Sequence, residues 1–222
     1  MTNVGILGTG VVGQTLGSAF LRLGHGVLLG SRDADNPKAT AWAADAAGLG
    51  GTARHGTFRD AAQFGDVIVN ATLGDGTLPA VAAAGTEALA GEILIDASNP
   101  LDFSAGFPPS LSVPSTDSLA EQIQRANPTT KVVKTLNTVT AGVMVDPSRV
   151  PGEHSVFICG DDAAAKANVV ELLGSLGWSA GRIIDLGGLA SARATEVYVL
   201  LWVRLFAALG TADFNIELCL QH

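Results

Sequence analysis

The chain has 222 residues, of which 47% are hydrophobic and 15% are charged, so it can bury a substantial core and is not intrinsically disordered. Its formal net charge of -8 excludes broad binding to nucleic acid or to anionic membranes, because both need a cationic surface. The start of the sequence has no secretory signal, and no apolar run is long enough to span a bilayer, so we expect a soluble cytoplasmic protein. Two isolated cysteines and four histidines without metal-ligand spacing predict free thiols and no metal site.

Short apolar runs alternate with alanine-rich segments of helical spacing along the first two thirds of the chain. This alternation predicts βαβ units and a parallel sheet that is covered on both faces. The first helix ends at Gly24-His25-Gly26. The predicted strands are residues 4–7, 27–29, 67–69, 93–95 and 132–133.

The last third of the chain changes character. Residues 155–158 and 182–186 read as strands, and Asp161 or Asp162 caps a helix that runs to Leu176. A long helix follows over residues 189–209. Its centre is apolar nearly all round, which is unfavourable for a helix on a solvent-exposed surface. That helix is either a central packing helix or half of a dimer interface. The predicted fold is therefore α/β, a Rossmann-type doubly wound parallel sheet with a small C-terminal α/β extension that ends in a long apolar helix.

Gly8-Thr9-Gly10-Val11-Val12-Gly13 fits the pattern G-x-G-x-x-G. The pattern alone is common, but here an apolar strand precedes it and a helix with a clear apolar stripe follows it. In such a turn the first glycine permits the tight bend, the second lets backbone N–H groups approach a pyrophosphate, and the third lets the helix pack closely. The helix N-terminus then holds the anion. All six residues are candidate cofactor-binding residues.

The second strand ends in Gly30-Ser31-Arg32, where many nucleotide-binding folds carry an acidic residue. A carboxylate there accepts hydrogen bonds from a free ribose 2'-hydroxyl, whereas a hydroxyl and a guanidinium attract a 2'-phosphate. Ser31 and Arg32, with Thr9 and Lys38 near them in sequence, therefore predict NADP(H) as the cofactor. The alternative is that Arg32 is solvated and that Asp33 binds the ribose.

Three later strands end in small polar residues followed by a turn. Because the carboxyl ends of parallel strands meet at one edge, these residues predict a pocket for the ribose and nicotinamide. The alternative is three unrelated turns, since these residue types favour turns. The candidate residues are Asn70, Ala71, Thr72, Asn99, Pro100 and Asn137.

Residues 101–118 form a long segment rich in Pro, Ser and Gly. It is too apolar for a disordered tail, and we expect it to form a partly ordered wall of the acceptor pocket. His154, Glu196 and Tyr198 are possible proton donors, each with an ordinary structural explanation, so the catalytic residues stay unknown. Hydride transfer between two ring systems can proceed by alignment alone.

With these residues in view, the sequence resembles the NADPH-dependent reductases of coenzyme F-420 (F420), through GILGTGVVGQTLGSAFLRLGHGVLLGSR, VFICGDD and the apolar helix near the C-terminus. Thr9, Ser31 and Arg32 coincide with positions that this family uses on the 2'-phosphate. The resemblance implies a Rossmann domain, a small C-terminal domain, a homodimer and hydride exchange between NADPH and F420. The stretches DASNPLD and KVVKTLN also resemble the reductase domain of six-transmembrane ferric metalloreductases, which reduce a flavin, FAD or FMN.

We therefore assign residues 1–150 to an NADP-binding domain and residues 151–222 to a small domain with the acceptor pocket and the dimer interface. Two other functions stay open. One is a dehydrogenase or reductase of a small substrate, although hydroxy-acid enzymes need a lysine on a C-terminal helix and no lysine follows Lys166. The other is a sensor that binds NADP(H) without chemistry, because its binding residues would look the same.

Overall fold

A computed structural model describes residues 1–219, and these residues form one large sheet with helices on both faces. The strands are β1 (Asn3–Leu7), β2 (Gly26–Ser31), β3 (Ala53–Thr57), β4 (Val67–Asn70), β5 (Ile93–Asp96), β6 (Leu101–Asp102), β7 (Ser110–Leu111), β8 (Lys131–Thr135), β9 (Val156–Gly160) and β10 (Ile183–Asp185). The helices are α1 (Val11–Arg22), α2 (Pro37–Asp45), α3 (Phe58–Phe64), α4 (Gly74–Ala84), α5 (Thr86–Leu89), α6 (Leu119–Ala126), α7 (Ala141–Val145), α8 (Ala163–Ser175) and α9 (Ala192–Leu209).

The main sheet has the strand order β10-β9-β8-β5-β4-β1-β2-β3. The six strands from β8 to β3 are parallel and have the order of a doubly wound Rossmann sheet. This confirms the predicted fold class. Strand β9 runs antiparallel to β8, and β10 runs parallel to β9. The C-terminal extension therefore continues the same sheet at its edge.

The order of the strands reverses between β1 and β4, because the chain moves outward from β1 through β2 to β3 and then returns to the other side of β1. The register places Leu7 opposite both Gly30 and Asn70, so β1, β2 and β4 end at the same level. Ligands of open α/β sheets bind at such a reversal, beyond the carboxyl ends of the strands.

Apolar side chains leave the central strands on both faces, as expected for a parallel sheet buried between helices. Ile6 packs into the core on one face and Leu7, its neighbour in sequence, into the core on the other. The first core contains Leu16 and Trp42 from the helices, and the second contains Phe58 and Ile123. The central strands between the two cores are those that the apolar runs of the sequence predicted.

One strand of the main sheet was not expected. The sequence ARHGT has no apolar run, and it forms β3 at the edge of the sheet, where few buried side chains are needed.

Residues 101–118 are partly ordered, as expected. Strands β6 and β7 form a small antiparallel pair within this segment, with Leu101 opposite Leu111.

Helix α9 is not a central packing helix. Its inner face is buried through Ala192, Thr195, Glu196, Val199 and Val203. Its outer face leaves large apolar side chains exposed, namely Val197, Leu201, Phe206 and Leu209 at 37%, 55%, 41% and 57%. No helix within residues 1–219 is long and apolar enough to cross a membrane.

Candidate dinucleotide-binding site

The glycine turn after β1 is pressed against the end of β4. Gly8 has a φ of +124°, which a residue with a side chain rarely adopts, and a Cβ there would lie 2.6 Å from the carbonyl oxygen of Ala71. The N–H of Gly8 donates to the carbonyl of Gly30 at 3.0 Å, and the N–H of Ala71 donates to the carbonyl of Leu7 at 2.9 Å. The turn is therefore held from both neighbouring strands.

The other two glycines of the motif have different surroundings. A Cβ on Gly13 would lie 2.2 Å from the carbonyl oxygen of Gly8, so only glycine lets α1 pack this closely on the turn. A Cβ on Gly10 would meet nothing within 4 Å. Gly10 is the N-cap of α1 and provides no side-chain cap, so the N–H groups of the first turn face open space. The geometry and the helix dipole both suit a phosphate.

A cavity of about 860 Å³ opens in front of this turn. Its wall includes these predicted cofactor residues: Gly8, Thr9, Gly10, Val11, Val12, Ser31, Arg32, Ala71 and Thr72. The predicted residues outside its wall are Gly13, Lys38, Asn70, Asn99, Pro100 and Asn137. The wall also contains Asp33, which the sequence analysis named as the alternative ribose ligand. The residues of the wall that sequence reasoning missed are Asn36, Phe58, Leu73, Asp75, Gly76, Pro79 and Ala80.

The missed residues come mainly from the start of α4, which faces the glycine turn across the cavity. A Cβ on Gly74 would lie 2.7 Å from the carbonyl oxygen of Asn99, so α4 begins in close contact with the turn after β5. No local motif marks this contact. Asn36 could have been recognised from the sequence as the N-cap of α2. Its side chain accepts hydrogen bonds from the N–H groups of Lys38 and Ala39.

The rim of the cavity beyond β2 is built by Ser31, Arg32 and Asp33. The Ser31 hydroxyl donates to the carbonyl of Asp33 and accepts from the Asp33 N–H at 3.2 Å, so it fixes the turn. Arg32 and Asp33 are both exposed. The side chain of Lys38 is also exposed, one turn into α2. The rim thus presents a guanidinium that is free to move toward a phosphate, beside one carboxylate.

The ends of β5 and β8 lie side by side, as predicted. The amide of Asn99 donates to the Asn137 carbonyl at 2.8 Å, and the amide of Asn137 donates to the Asn99 side-chain oxygen at 2.9 Å and to the Thr195 carbonyl at 3.0 Å. Leu136 precedes Asn137 with a φ of +66°, a left-handed conformation that costs a leucine about 1–2 kcal/mol. The surrounding bonds hold this turn in place.

Asp96, Lys134 and Glu196 form a buried charge network next to these strand ends. The two members that belong to the sheet, Asp96 and Lys134, were not predicted as site residues. The ammonium of Lys134 contacts Oδ2 of Asp96 at 2.8 Å, Oε1 of Glu196 at 2.8 Å and the carbonyl of Ser98 at 2.6 Å. Asp96 Oδ1 accepts from the side-chain amide of Asn70 at 2.8 Å and from the hydroxyl of Ser98 at 2.7 Å. The network joins β4, β5 and β8 to helix α9.

Burial alone would lower the pKa of Lys134, but the carboxylates of Asp96 and Glu196 outweigh it and raise that pKa above its usual value. Burial and the nearby Asp96 carboxylate raise the pKa of Glu196, and the ammonium of Lys134 and the N–H of Leu119 oppose them. Both oxygens of Glu196 accept hydrogen bonds, at 2.8 Å from the N–H of Leu119 and at 3.2 Å from the N–H of Ala120. Since every partner of Glu196 is a donor, the geometry suits a carboxylate.

The other titratable side chains considered, His154, Tyr198 and Cys159, make contacts within the protein core and lie away from the cavity. The ring of His154 contacts the Pro147 carbonyl at 2.9 Å and packs edge-on against Trp178. Burial raises the pKa of Tyr198, whose hydroxyl has no partner within residues 1–219. Burial also raises the pKa of Cys159 to about 12, so this free cysteine is a neutral thiol. The cavity wall contains none of these groups.

Comparison with known proteins identifies relatives. A sequence profile for NADP oxidoreductase, coenzyme F420-dependent, matches residues 3–100. Metalloreductase STEAP3 of Rattus norvegicus is 33% identical over 194 residues, and F420-dependent NADP reductase of Methanocaldococcus jannaschii is 30% identical over 148 residues. The alignments cover 87% and 66% of this chain, but only 35% and 65% of those proteins.

A crystal structure from Arthrobacter sp. FB24 is similar over nearly the whole chain. It is provisionally assigned as an F420-dependent NADP reductase, is 47% identical and has a TM-score of 0.92, with 99% of this chain and 100% of that chain covered. The fold and the glycine turn place this protein in the class of Rossmann-type dinucleotide-binding folds. The chain belongs to the family of coenzyme F420-dependent NADP oxidoreductases.

The two glycines with opposite surroundings give a paired prediction. Gly10→Ala should fold normally, because its Cβ has room, but should bind NADPH much more weakly, since the methyl group occupies the space in front of the helix N-terminus. Gly13→Ala should be less stable by about 1–3 kcal/mol, because the helix must move away from Gly8. Thermal unfolding and calorimetric titration separate the two effects. Normal NADPH binding by a folded Gly10→Ala protein would contradict this description of the site.

The rim gives a second prediction. Arg32→Ala should weaken NADPH binding about ten-fold to a hundred-fold, because a charge-assisted contact contributes about 1.5–3 kcal/mol. NADH binding should change little. Arg22→Ala is the matched control, since this exposed arginine lies in the last turn of α1, at the opposite end from the cavity. Equal NADPH affinities for Arg32→Ala and Arg22→Ala in a titration would remove Arg32 from the site.

Proposed function

We propose that this protein exchanges a hydride between NADP(H) and a deazaflavin or flavin acceptor, with coenzyme F420 as the first candidate. The observation that carries the proposal is the uncapped N-terminus of α1, which faces a cavity at the strand-order reversal. Family membership supports the cofactor and the reaction class. The similarity to F420-dependent NADP reductases supports an acceptor with a deazaflavin ring.

NADPH supplies a hydride from its nicotinamide ring, and the reaction balances as NADPH + F420 + H⁺ ⇌ NADP⁺ + F420H₂. The residues of this chain have three tasks. Backbone N–H groups of α1 hold the pyrophosphate, Arg32 holds the 2'-phosphate, and the turns at Ala71, Asn99 and Asn137 orient the nicotinamide. No side chain has to donate a proton, since the solvent would supply it and the alignment of the two rings would accelerate hydride transfer.

The acceptor wall is proposed to be the β6–β7 pair together with the start of α4. Phe103, Phe107 and Leu73 are exposed here at 49%, 63% and 60%, although they are large and apolar. Leu73 belongs to the cavity wall, and the close contact between Gly74 and Asn99 joins α4 to the segment that leads into β6. A flat aromatic ring is the type of ligand that would cover such side chains.

The acceptor is tested by anaerobic mixing of the purified protein with NADPH and, in separate reactions, F420, FMN and FAD. We expect NADPH oxidation with F420 or with a flavin, at a rate that Gly10→Ala strongly reduces. Absorbance at the nicotinamide and deazaflavin bands follows both partners at once. A native protein that binds NADPH but reduces none of these acceptors would refute the proposed acceptor class.

We also propose that two copies of this chain pair through the outer face of α9. Val197 and Leu201 lie about one helical turn apart on that face, and large apolar side chains exposed along one helix favour an interface. A two-fold axis would pack the same face of both helices together, as in most homodimers. The inner face would keep its contacts with the sheet.

Analytical ultracentrifugation tests the pairing. The native protein should sediment as a dimer of 22.5 kDa chains. Leu201→Glu should sediment as a monomer, because it places a charge at the centre of the proposed contact. Leu23→Glu, at an exposed leucine that ends α1, should remain a dimer. A monomeric native protein would refute the pairing.

A further inference from the structure

The buried network of Asp96, Lys134 and Glu196 has a position that suggests a role beyond packing. Asn70 and Asp96 are the last residues of β4 and β5, and Lys134 is the last but one of β8. These strand ends form the edge along which the proposed function places the nicotinamide. Two hydrogen bonds connect the network to the cavity wall: the amide of Asn70 donates to Asp96, and the hydroxyl of Thr72 donates to the Asn70 side-chain oxygen at 2.6 Å.

Every hydrogen-bond partner of Asp96 and Glu196 is a donor, which is the arrangement of two carboxylates. With Lys134 as the one ammonium, the network then carries one uncompensated negative charge. All three N–H groups of Lys134 are used, by Asp96, Glu196 and the Ser98 carbonyl. The remaining donors to the carboxylates are neutral. Asp96 accepts from the amide of Asn70 and from the hydroxyl and backbone N–H of Ser98, and Glu196 accepts from backbone N–H groups at the start of α6. They stabilise the negative charge without cancelling it.

The charge is also shielded from solvent. The side chains of Asp96 and Lys134 are 0% exposed, and that of Glu196 is 3% exposed. Salt screens exposed charges strongly but buried charges much less, so this negative potential acts on its surroundings with little loss. Buried ion networks are in general weak contributors to stability, since replacing one by apolar residues is often neutral or stabilising.

We propose that this buried negative charge favours the cationic nicotinamide of NADP⁺ over the neutral nicotinamide of NADPH, and so drives hydride transfer from NADPH to the acceptor. The inference rests on the proposed function, because it takes the nicotinamide to lie at the ends of β4, β5 and β8. A unit charge that acts across about 10 Å at an effective dielectric constant of about 20 changes an equilibrium constant roughly ten-fold. Asp96 and Glu196 are therefore residues that set the preference between the two redox forms of the cofactor.

The test is the ratio of the two dissociation constants, which needs no acceptor. Calorimetric titration of the native protein should give tighter binding of NADP⁺ than of NADPH. Glu196→Gln removes the net charge with little change of shape, and should weaken NADP⁺ binding about ten-fold while NADPH binding is unchanged. Asp96→Asn should have the same effect, and it replaces Glu196→Gln as the test variant if Glu196→Gln does not fold. Glu171→Gln, at an exposed site on α8, is the control for loss of one carboxylate and should leave the ratio unchanged.

The outcomes separate electrostatics from packing. A variant that merely loosens the sheet edge binds both forms more weakly by the same factor, because their phosphates and riboses are identical. Equal weakening of both forms, an unchanged ratio, or a native protein that binds NADPH as tightly as NADP⁺ or more tightly would overturn the inference. Binding of neither form by the native protein would instead refute the proposed function.

Discussion

The close approach of the Gly8 turn to the end of β4 is the constraint on which the rest of the site depends. A side chain at Gly8 would collide with the carbonyl of Ala71, and one at Gly13 would collide with the carbonyl of Gly8. These two contacts set the angle at which α1 leaves the sheet. Because that angle fixes where the first N–H groups of α1 point, backbone packing alone creates an anion site at the strand-order reversal.

The charges around this site suit the proposed dinucleotide. The chain as a whole is acidic, with a net charge of -8, whereas the cavity wall contains the start of α1 and Arg32. At the strand edge, the buried network contains two carboxylic side chains and one ammonium. In the proposed binding mode, the phosphates meet hydrogen-bond donors at one end and the nicotinamide meets a negative potential at the other.

Local sequence patterns predicted most of the fold but less of the site. The strands β1, β2, β4, β5, β8 and β9 contain apolar runs, and the Gly8–Gly13 motif was recognisable because a strand and a striped helix flank it. Strand β3 had no such run, since an edge strand buries little. The contribution of α4 to the cavity could not be predicted, because it depends on how that helix packs against Asn99 and not on its own sequence.

The buried network of Asp96, Lys134 and Glu196 could be predicted from local sequence patterns even less than the contribution of α4. Asp96 and Lys134 lie 38 positions apart, and Glu196 lies a further 62 positions along the chain. Asp96 and Lys134 looked like ordinary charged residues, and Glu196 was noted only as a possible proton donor, since nothing near them in sequence indicates a shared network. Only the pairing of β5 with β8 and the docking of α9 bring the three together. The ends of β5 and β8, in contrast, were predicted to meet because parallel strands end at a common edge.

Calorimetric titration of the native protein with NADPH and with NADH tests the central claim most directly, because it compares the two dinucleotides at the same backbone site. The account predicts that NADPH binds about ten-fold more tightly or better, since only the 2'-phosphate can use the guanidinium at the rim. Equal affinity, a preference for NADH, or failure to bind either dinucleotide would contradict it.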